Sequence, residues 1–178
     1  MIIALESQYK IKGVILLKWF NPVPRTLEEL KRQYRTLAMQ HHPDCGGNTA
    51  DMQSINSEYD ILFNELKDIH TTADGNTYKA STSETPDQFK NIIEKLITLE
   101  GVIIEVVGSW LWLTGNTYIH RERIKAIGFR WANSKKAWYY HTDEYRKTSK
   151  KTFTLEQIRE LYGAQTITSK PPLKLTVV

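Results

Sequence analysis

The chain has 178 residues, 40% hydrophobic and 25% charged, with a net charge of +4 and a single cysteine. This is the composition of a globular protein large enough for one domain or two small ones, and it excludes a fibre, a globally disordered chain and an intramolecular disulfide. No apolar run has the length needed to cross a bilayer, and the charge divides unevenly, residues 1 to 105 summing to −4 and residues 106 to 178 to +8.

The opening MIIALESQYKIKGVILLKWF carries two apolar clusters around a polar centre. Gly13 and the β-branched residues suit short strands or an irregular lead, while residues 14 to 20 equally suit a helical turn. The segment lacks a basic region ahead of a continuous apolar stretch and a small-residue cleavage site, so no signal peptide is expected. The expected location is the cytoplasm, in keeping with one free cysteine.

Residues 27 to 66 form the organising stretch. Leu27, Leu30, Tyr34, Leu37 and Ala38 make an apolar stripe at helical spacing, and Thr26 followed by Glu29 reads as a capping box. Lys31, Arg32 and Arg35 fall on the other side and predict a basic ridge facing solvent. Met52, Ile55, Tyr59, Leu62, Phe63 and Leu66 make a matching stripe on a second helix, so the two should pair antiparallel. Between them HHPDCGGNT holds Pro43, which ends the first helix near Gln40 or His41, and Gly46-Gly47, which frees the turn. The expected result is a stiff, exposed tip carrying an imidazole and a carboxylate beside a basic helix face.

YRTLAMQHHPDCGGN followed by MQSINSEYDIL resembles the J-domain of DnaJ-type (Hsp40) co-chaperones over roughly residues 19 to 66. The resemblance implies that His42, Pro43 and Asp44 trigger ATP hydrolysis by a DnaK-type chaperone, with Lys31, Arg32, Tyr34 and Arg35 on the docking helix. A constrained carboxylate beside cations suits a directional, electrostatically steered contact. Two departures stand out. Pro22 and Pro24 interrupt the family's short first helix, leaving Trp19 and Phe20 to pack on the hairpin, and the glycine/phenylalanine linker and paired-cysteine zinc motifs are absent.

Residues 71 to 87, rich in Thr, Ser, Asp and Gly, read as a linker between a domain over 1 to 70 and another over 88 to 178. A helix is predicted from Pro86 to Leu99, capped by Thr85, then strands VIIEVVG and SWLWLTG joined at Gly108-Ser109. A helix over 117 to 127 closed by Gly128, a hairpin of FRWA and AWYY, and a helix from Thr154 to Tyr162 follow. The tail PPLKLTVV reads as irregular or a late edge strand. The fold class is α+β, a helical hairpin plus an antiparallel ββαββ unit with flanking helices.

In this half Trp110, Trp112, Phe129, Trp131, Trp138, Tyr139 and Tyr140 lie among Arg121, Arg123, Lys125, Arg130, Lys135, Lys136, Arg146 and Lys147. Rings can stack on bases and cations can neutralise phosphates, although the same rings also suit the core of a small domain. GNTYIHRERIKAIGFRWANSKKAWYYHTDEY is similar in layout to HARP-like modules of DNA-remodelling helicases and to small domains of mobile-element and phage proteins, which implies a nucleic-acid partner.

His41, His42, Cys45 and His70 are candidate metal ligands and Cys45 with His42 a candidate nucleophile pair, but neither set has the ligand count or orienting group such chemistry uses. Gly46-Gly47 lacks the lysine of a phosphate loop. No metal, cofactor or catalysis in the chain, and no membrane partner, is expected. The sequence therefore predicts a J-domain co-chaperone whose second half selects the cargo, with a nucleic-acid-binding protein bearing a degenerate J-domain, or a protein-binding adaptor, as alternatives.

Overall fold

The computed structural model describes residues 17 to 72, 74 to 142, 153 to 163 and 167 to 168, the last two in backbone only. Helix α1 (Leu27–His41) starts at Thr26, whose hydroxyl accepts the Glu29 amide hydrogen at 3.4 Å, while the Glu29 carboxylate reaches past the cap to the amide of Arg25 at 2.7 Å. A single 3-10 turn, Pro43–Cys45, leads to α2 (Thr49–Leu66), capped by the Asn48 side chain. The two helices pack through Leu30, Tyr34, Ala38, Ile55, Tyr59 and Leu62, the stripes that the spacing predicts.

The expected linker contains structure. Strands β1 (Ile69–Thr71) and β2 (Thr77–Lys79) form an antiparallel hairpin. Helix α3 (Pro86–Ile97) starts at the expected Thr85-Pro86, closed by a capping box between Thr85 and Gln88.

A five-stranded antiparallel sheet follows, ordered β5-β6-β4-β3-β7. Strands β3 (Val102–Val107) and β4 (Trp110–Gly115) turn at Gly108, whose φ of +57° favours glycine. Helix α4 (Arg121–Ile127) is shorter than the helix predicted from residue 117, and strands β5 (Arg130–Ala132) and β6 (Ala137–Tyr140) form the expected hairpin. Helix α5 (Leu155–Tyr162) carries a second capping box, and β7 (Ile167–Thr168) pairs with β3. The order β-β-α-β-β and the α+β class stand as expected. The tail PPLKLTVV lies outside the described residues.

The two expected domains share packing. One apolar cluster runs from Phe20, Leu30 and Phe63 through Phe89 and Ile93 to Val102, Ile104, Leu113 and Trp138. Phe89 of α3 is wholly buried, its ring 6.0 Å from both Tyr34 and Tyr59, so a residue of the second half completes the packing of the first. Alternation along the strands puts Val102, Ile104, Val106, Leu111 and Leu113 toward this cluster. Val107, Trp112 and Ala137 lie on the reverse side with Leu155 of α5.

The basic ridge is not at the surface. Lys31 is 4% exposed and pairs with Glu84; Arg35 is 0% exposed and donates from Nη1 to the Ile104 carbonyl at 2.8 Å. Burial pulls the Arg35 pKa down to about 10, against the opposing pull of Glu105, so the guanidinium stays charged at neutral pH. Glu105, also 0% exposed, receives a two-pronged bond from Arg159 of α5 at 2.9 and 2.5 Å. Arg32, half-buried, reaches the Tyr162 carbonyl at 3.4 Å. Since buried ions persist only when paired and hydrogen-bonded, these side chains anchor α1 to the elements packed on it.

A third buried pair joins α1 to the small hairpin. Glu28 accepts from His70 at 2.8 Å and from the Thr71 amide at 3.1 Å, and the other ring nitrogen of His70 faces the Ala80 carbonyl at 3.0 Å. With an acceptor at each nitrogen the imidazolium is favoured: the Glu28 bond raises the His70 pKa, burial opposes it, and the Glu28 charge adds to the rise. Burial pushes Glu28 upward, but the His70 bond and charge and the backbone amides outweigh it, and its carboxyl titrates below the ordinary range.

Two outcomes test this architecture. Chemical unfolding should be a single transition, and Phe89→Ala should lower stability by about 3–5 kcal/mol while leaving one transition. Separate transitions would mean two separate cores. The stabilisation from His70 should be full below its ordinary pKa of 6.5 and fade as pH rises through its higher folded value, whereas that from Glu28 should be full above 4.5 and fade as pH falls through its lower folded value. The gap in urea midpoint between the native protein and His70→Asn should therefore be widest between 4.5 and 6.5 and shrink above 6.5; a pH-independent gap would contradict the charged pair.

Candidate functional site

The turn at the end of α1 is held almost wholly by its own backbone. The His42 amide closes the helix on Ala38 at 2.8 Å, and with ψ at 137° the chain turns out of helical geometry, as the following proline requires. The Cys45 and Gly47 amides both donate to the His42 carbonyl at 2.9 Å, and the Gly46 amide donates to Pro43 at 3.0 Å. Gly46 has a φ of +93°, and a Cβ at Gly47 would sit 1.9 Å from the His41 carbonyl oxygen, so each glycine is demanded by a separate constraint.

Within this turn the two polar side chains differ. The Asp44 side chain is 58% exposed, whereas that of His42 is 13% exposed and folds back so that Nδ1 accepts the Asp44 amide hydrogen at 3.2 Å. That bond needs Nδ1 unprotonated and leaves the ring proton on Nε2. The expected exposed imidazole is thus a brace for the turn, and the exposed features are the carboxylate and the proline ring. Behind the turn Trp19 meets His41 edge-on at 4.6 Å, and the Glu58 carboxylate accepts from the backbone amides of Lys18 and Trp19 at 2.8 and 2.9 Å. Phe20 is fully buried, so Trp19 and Phe20 supply packing on the hairpin as the sequence suggested.

His42 and Pro43 open onto a groove of about 360 Å³ between α1, α2 and α3, with Tyr34 and Met52 in its wall and Asn91 and Glu94 contributed by α3. The Tyr34 hydroxyl donates to Asn56 at 2.9 Å; burial and the negative charges of Glu94 and Asp60 push its pKa well above the usual phenol range, so it remains a neutral donor. Tyr34 is 2% exposed. Of the helix residues expected to meet a partner, Lys31, Arg35 and Tyr34 are buried, and Arg32 is half-buried.

Among the described residues the cations of the second half do not form one patch. Arg121, Arg123 and Lys125 are exposed on α4, Arg121 and Lys125 being near Glu122 and Arg123 bonded to Thr98; α4 packs by Ile124 into the large cluster. Lys135 instead stands over Trp112 on the reverse side of the sheet, 6.0 Å from the ring centroid. Arg130 and Lys136 are exposed on the β5–β6 hairpin, with Lys136 bonded to Asn133, and Arg146 and Lys147 lie outside the described residues. Trp131 is 45% exposed, while Trp138, at 7%, belongs to the core. His70 is engaged with Glu28 rather than near His42 and Cys45, and among the described residues no three potential ligands gather around a metal position.

Sequence reasoning missed Glu28, Glu84, Glu105 and Arg159, because each finds its partner across a separation that periodicity does not register: 42 residues from Glu28 to His70, 53 from Lys31 to Glu84 and 54 from Glu105 to Arg159.

Comparison with curated proteins places this geometry in context. The chain is similar to Chaperone protein DnaJ 2 of Synechocystis sp., 39% identical over 67 residues, 35% of this chain and 20% of that protein. It is also similar to Chaperone protein DnaJ of Mycoplasmopsis pulmonis, 40% identical over 65 residues, 35% of this chain and 15% of that protein. The chain thus matches a fifth or less of these relatives' length. No family model matches, and no solved structure does. Among the described residues no helix is long and apolar enough to cross a membrane. With the matched segment at the N-terminal end and a helical hairpin there closed by the His42-Pro43-Asp44 turn, the N-terminal part of this chain is a J-domain region of the DnaJ type.

Proposed function

We propose that the chain is a cytoplasmic co-chaperone that engages a DnaK-type ATPase through its His42-Pro43-Asp44 turn and stimulates ATP hydrolysis by that partner, with the sheet half selecting the cargo. The observation that carries this reading is the turn itself: a stiff backbone presents the Asp44 carboxylate to solvent, within the part of the chain that is similar in sequence to DnaJ proteins. A carboxylate held in this way can form a short charge-assisted bond with a guanidinium at little cost in conformational freedom. The chain would do no chemistry; by binding one nucleotide state of the partner better than another it would shift that partner's equilibrium.

The docking surface in this proposal is narrower than the sequence suggested. Lys31 and Arg35 act as internal anchors, leaving the Pro43–Asp44 tip and the mouth of the groove beside His42 to meet the partner.

Phosphate release by the host's DnaK-type proteins should rise when the chain is added. Asp44→Asn should lower that stimulation about 30-fold or more while leaving stability unchanged, since its side chain is exposed. Absence of stimulation by the unmodified chain with each DnaK-type protein of the host would sink the proposal. Gly47→Ala should distort the turn through the His41 carbonyl and abolish stimulation although Asp44 is retained; full stimulation by this variant would mean that the turn's shape is irrelevant. Arg35→Ala should appear chiefly as a loss of about 3–5 kcal/mol of stability, checked by urea unfolding.

A further inference from the structure

On the reverse side of the sheet, Trp110 and Trp112 stack at 5.9 Å with planes 19° apart, and Tyr139 lies 5.5 and 5.8 Å from them. Tyr78 of the small hairpin and Tyr162 of α5 complete the walls of an open cavity of about 520 Å³. Its rings therefore come from four separate elements, β4, β6, β2 and α5.

The polar groups at its wall narrow the ligand. The Lys135 ammonium stands 6.0 Å from the Trp112 ring centroid and forms no ion pair among the described residues. Glu28, the other charged residue of the wall, is already taken up by His70 and the Thr71 amide. Trp112 is 5% exposed and its indole N–H is enclosed, so what it adds to the wall is ring surface.

The geometry points to a nucleotide-binding slot: the aromatic walls take the face of a nucleobase, and Lys135 takes the adjoining phosphate. An aliphatic chain would leave the cation unused, and a cationic ligand would be opposed by Lys135. Stacking on aromatic side chains contributes about 1–3 kcal/mol per base and requires an accessible ring face, which a duplex does not offer. The ligand is a base with its phosphate, free or within a single strand. This deepens the cargo-selecting role proposed for the sheet half and does not depend on ATPase stimulation.

The test is tryptophan fluorescence of the full chain, with no chaperone present, titrated with thymidine monophosphate, a single-stranded thymidine octamer, and that octamer paired to its complement. Saturable quenching by the single strand is expected, and the mononucleotide arm tells a free nucleotide from a strand as the source. Tyr139→Leu should weaken binding about 5-fold or more. Lys135→Ala should weaken it and lower the slope of log affinity against log salt by about 0.7, whereas Lys95→Ala on α3 should change neither. Lack of quenching by both mononucleotide and single strand, equal quenching by the duplex, or equal effects of Lys135→Ala and Lys95→Ala would overturn the slot. Because binding and phosphate release are measured separately, failure here leaves the co-chaperone reading intact, and the converse.

Discussion

The structure depends on α1 being buried along both sides. Its apolar stripe packs on α2, and its charged positions are consumed by Glu84, the Ile104 carbonyl and the Glu28–His70 pair. An isolated helix of this length would be marginal, so its persistence comes from what surrounds it. Removing one partner from such a buried pair strands the other charge, which makes the arrangement all-or-none rather than graded.

The turn inherits its geometry from this helix. The amide of His42 is the last to bond back into α1, and its carbonyl is the hub on which Cys45 and Gly47 converge. A helix end that frayed would release that hub, so the sheet half, by holding α1, also holds the orientation of Asp44. Exposed carboxylate and buried guanidinium are in this sense two ends of one rigid element, although no direct contact joins them.

Much of the fold was legible locally. Thr26, Thr85 and Thr154 each mark a helix start through their own hydroxyls, and the Gly108 turn and the order of strands follow from side-chain alternation and turn chemistry. What sequence could not supply was the destination of polar groups. Lys31, Arg32 and Arg35 lie opposite an apolar stripe, a pattern that ordinarily denotes a solvated surface; only the arrival of Glu84 and the Ile104 carbonyl from far along the chain reverses it. The polar stretch read as a linker hides a short hairpin for the same reason, since β1 and β2 have three residues each and are stabilised by what Thr71 and His70 find on α1. At the turn, the identity of the residues was legible but the inward tilt of the His42 ring was not, because it rests on one side-chain bond to the Asp44 amide.

Phe89 has a consequence for modularity. Because this ring from α3 fills the space between Tyr34 and Tyr59, the helical hairpin is not a transplantable cassette: fused to a foreign partner it would carry an open hydrophobic socket and stranded charges. Variation at the junction must then be concerted, a change in the socket being tolerated only alongside a compensating change in the ring that plugs it.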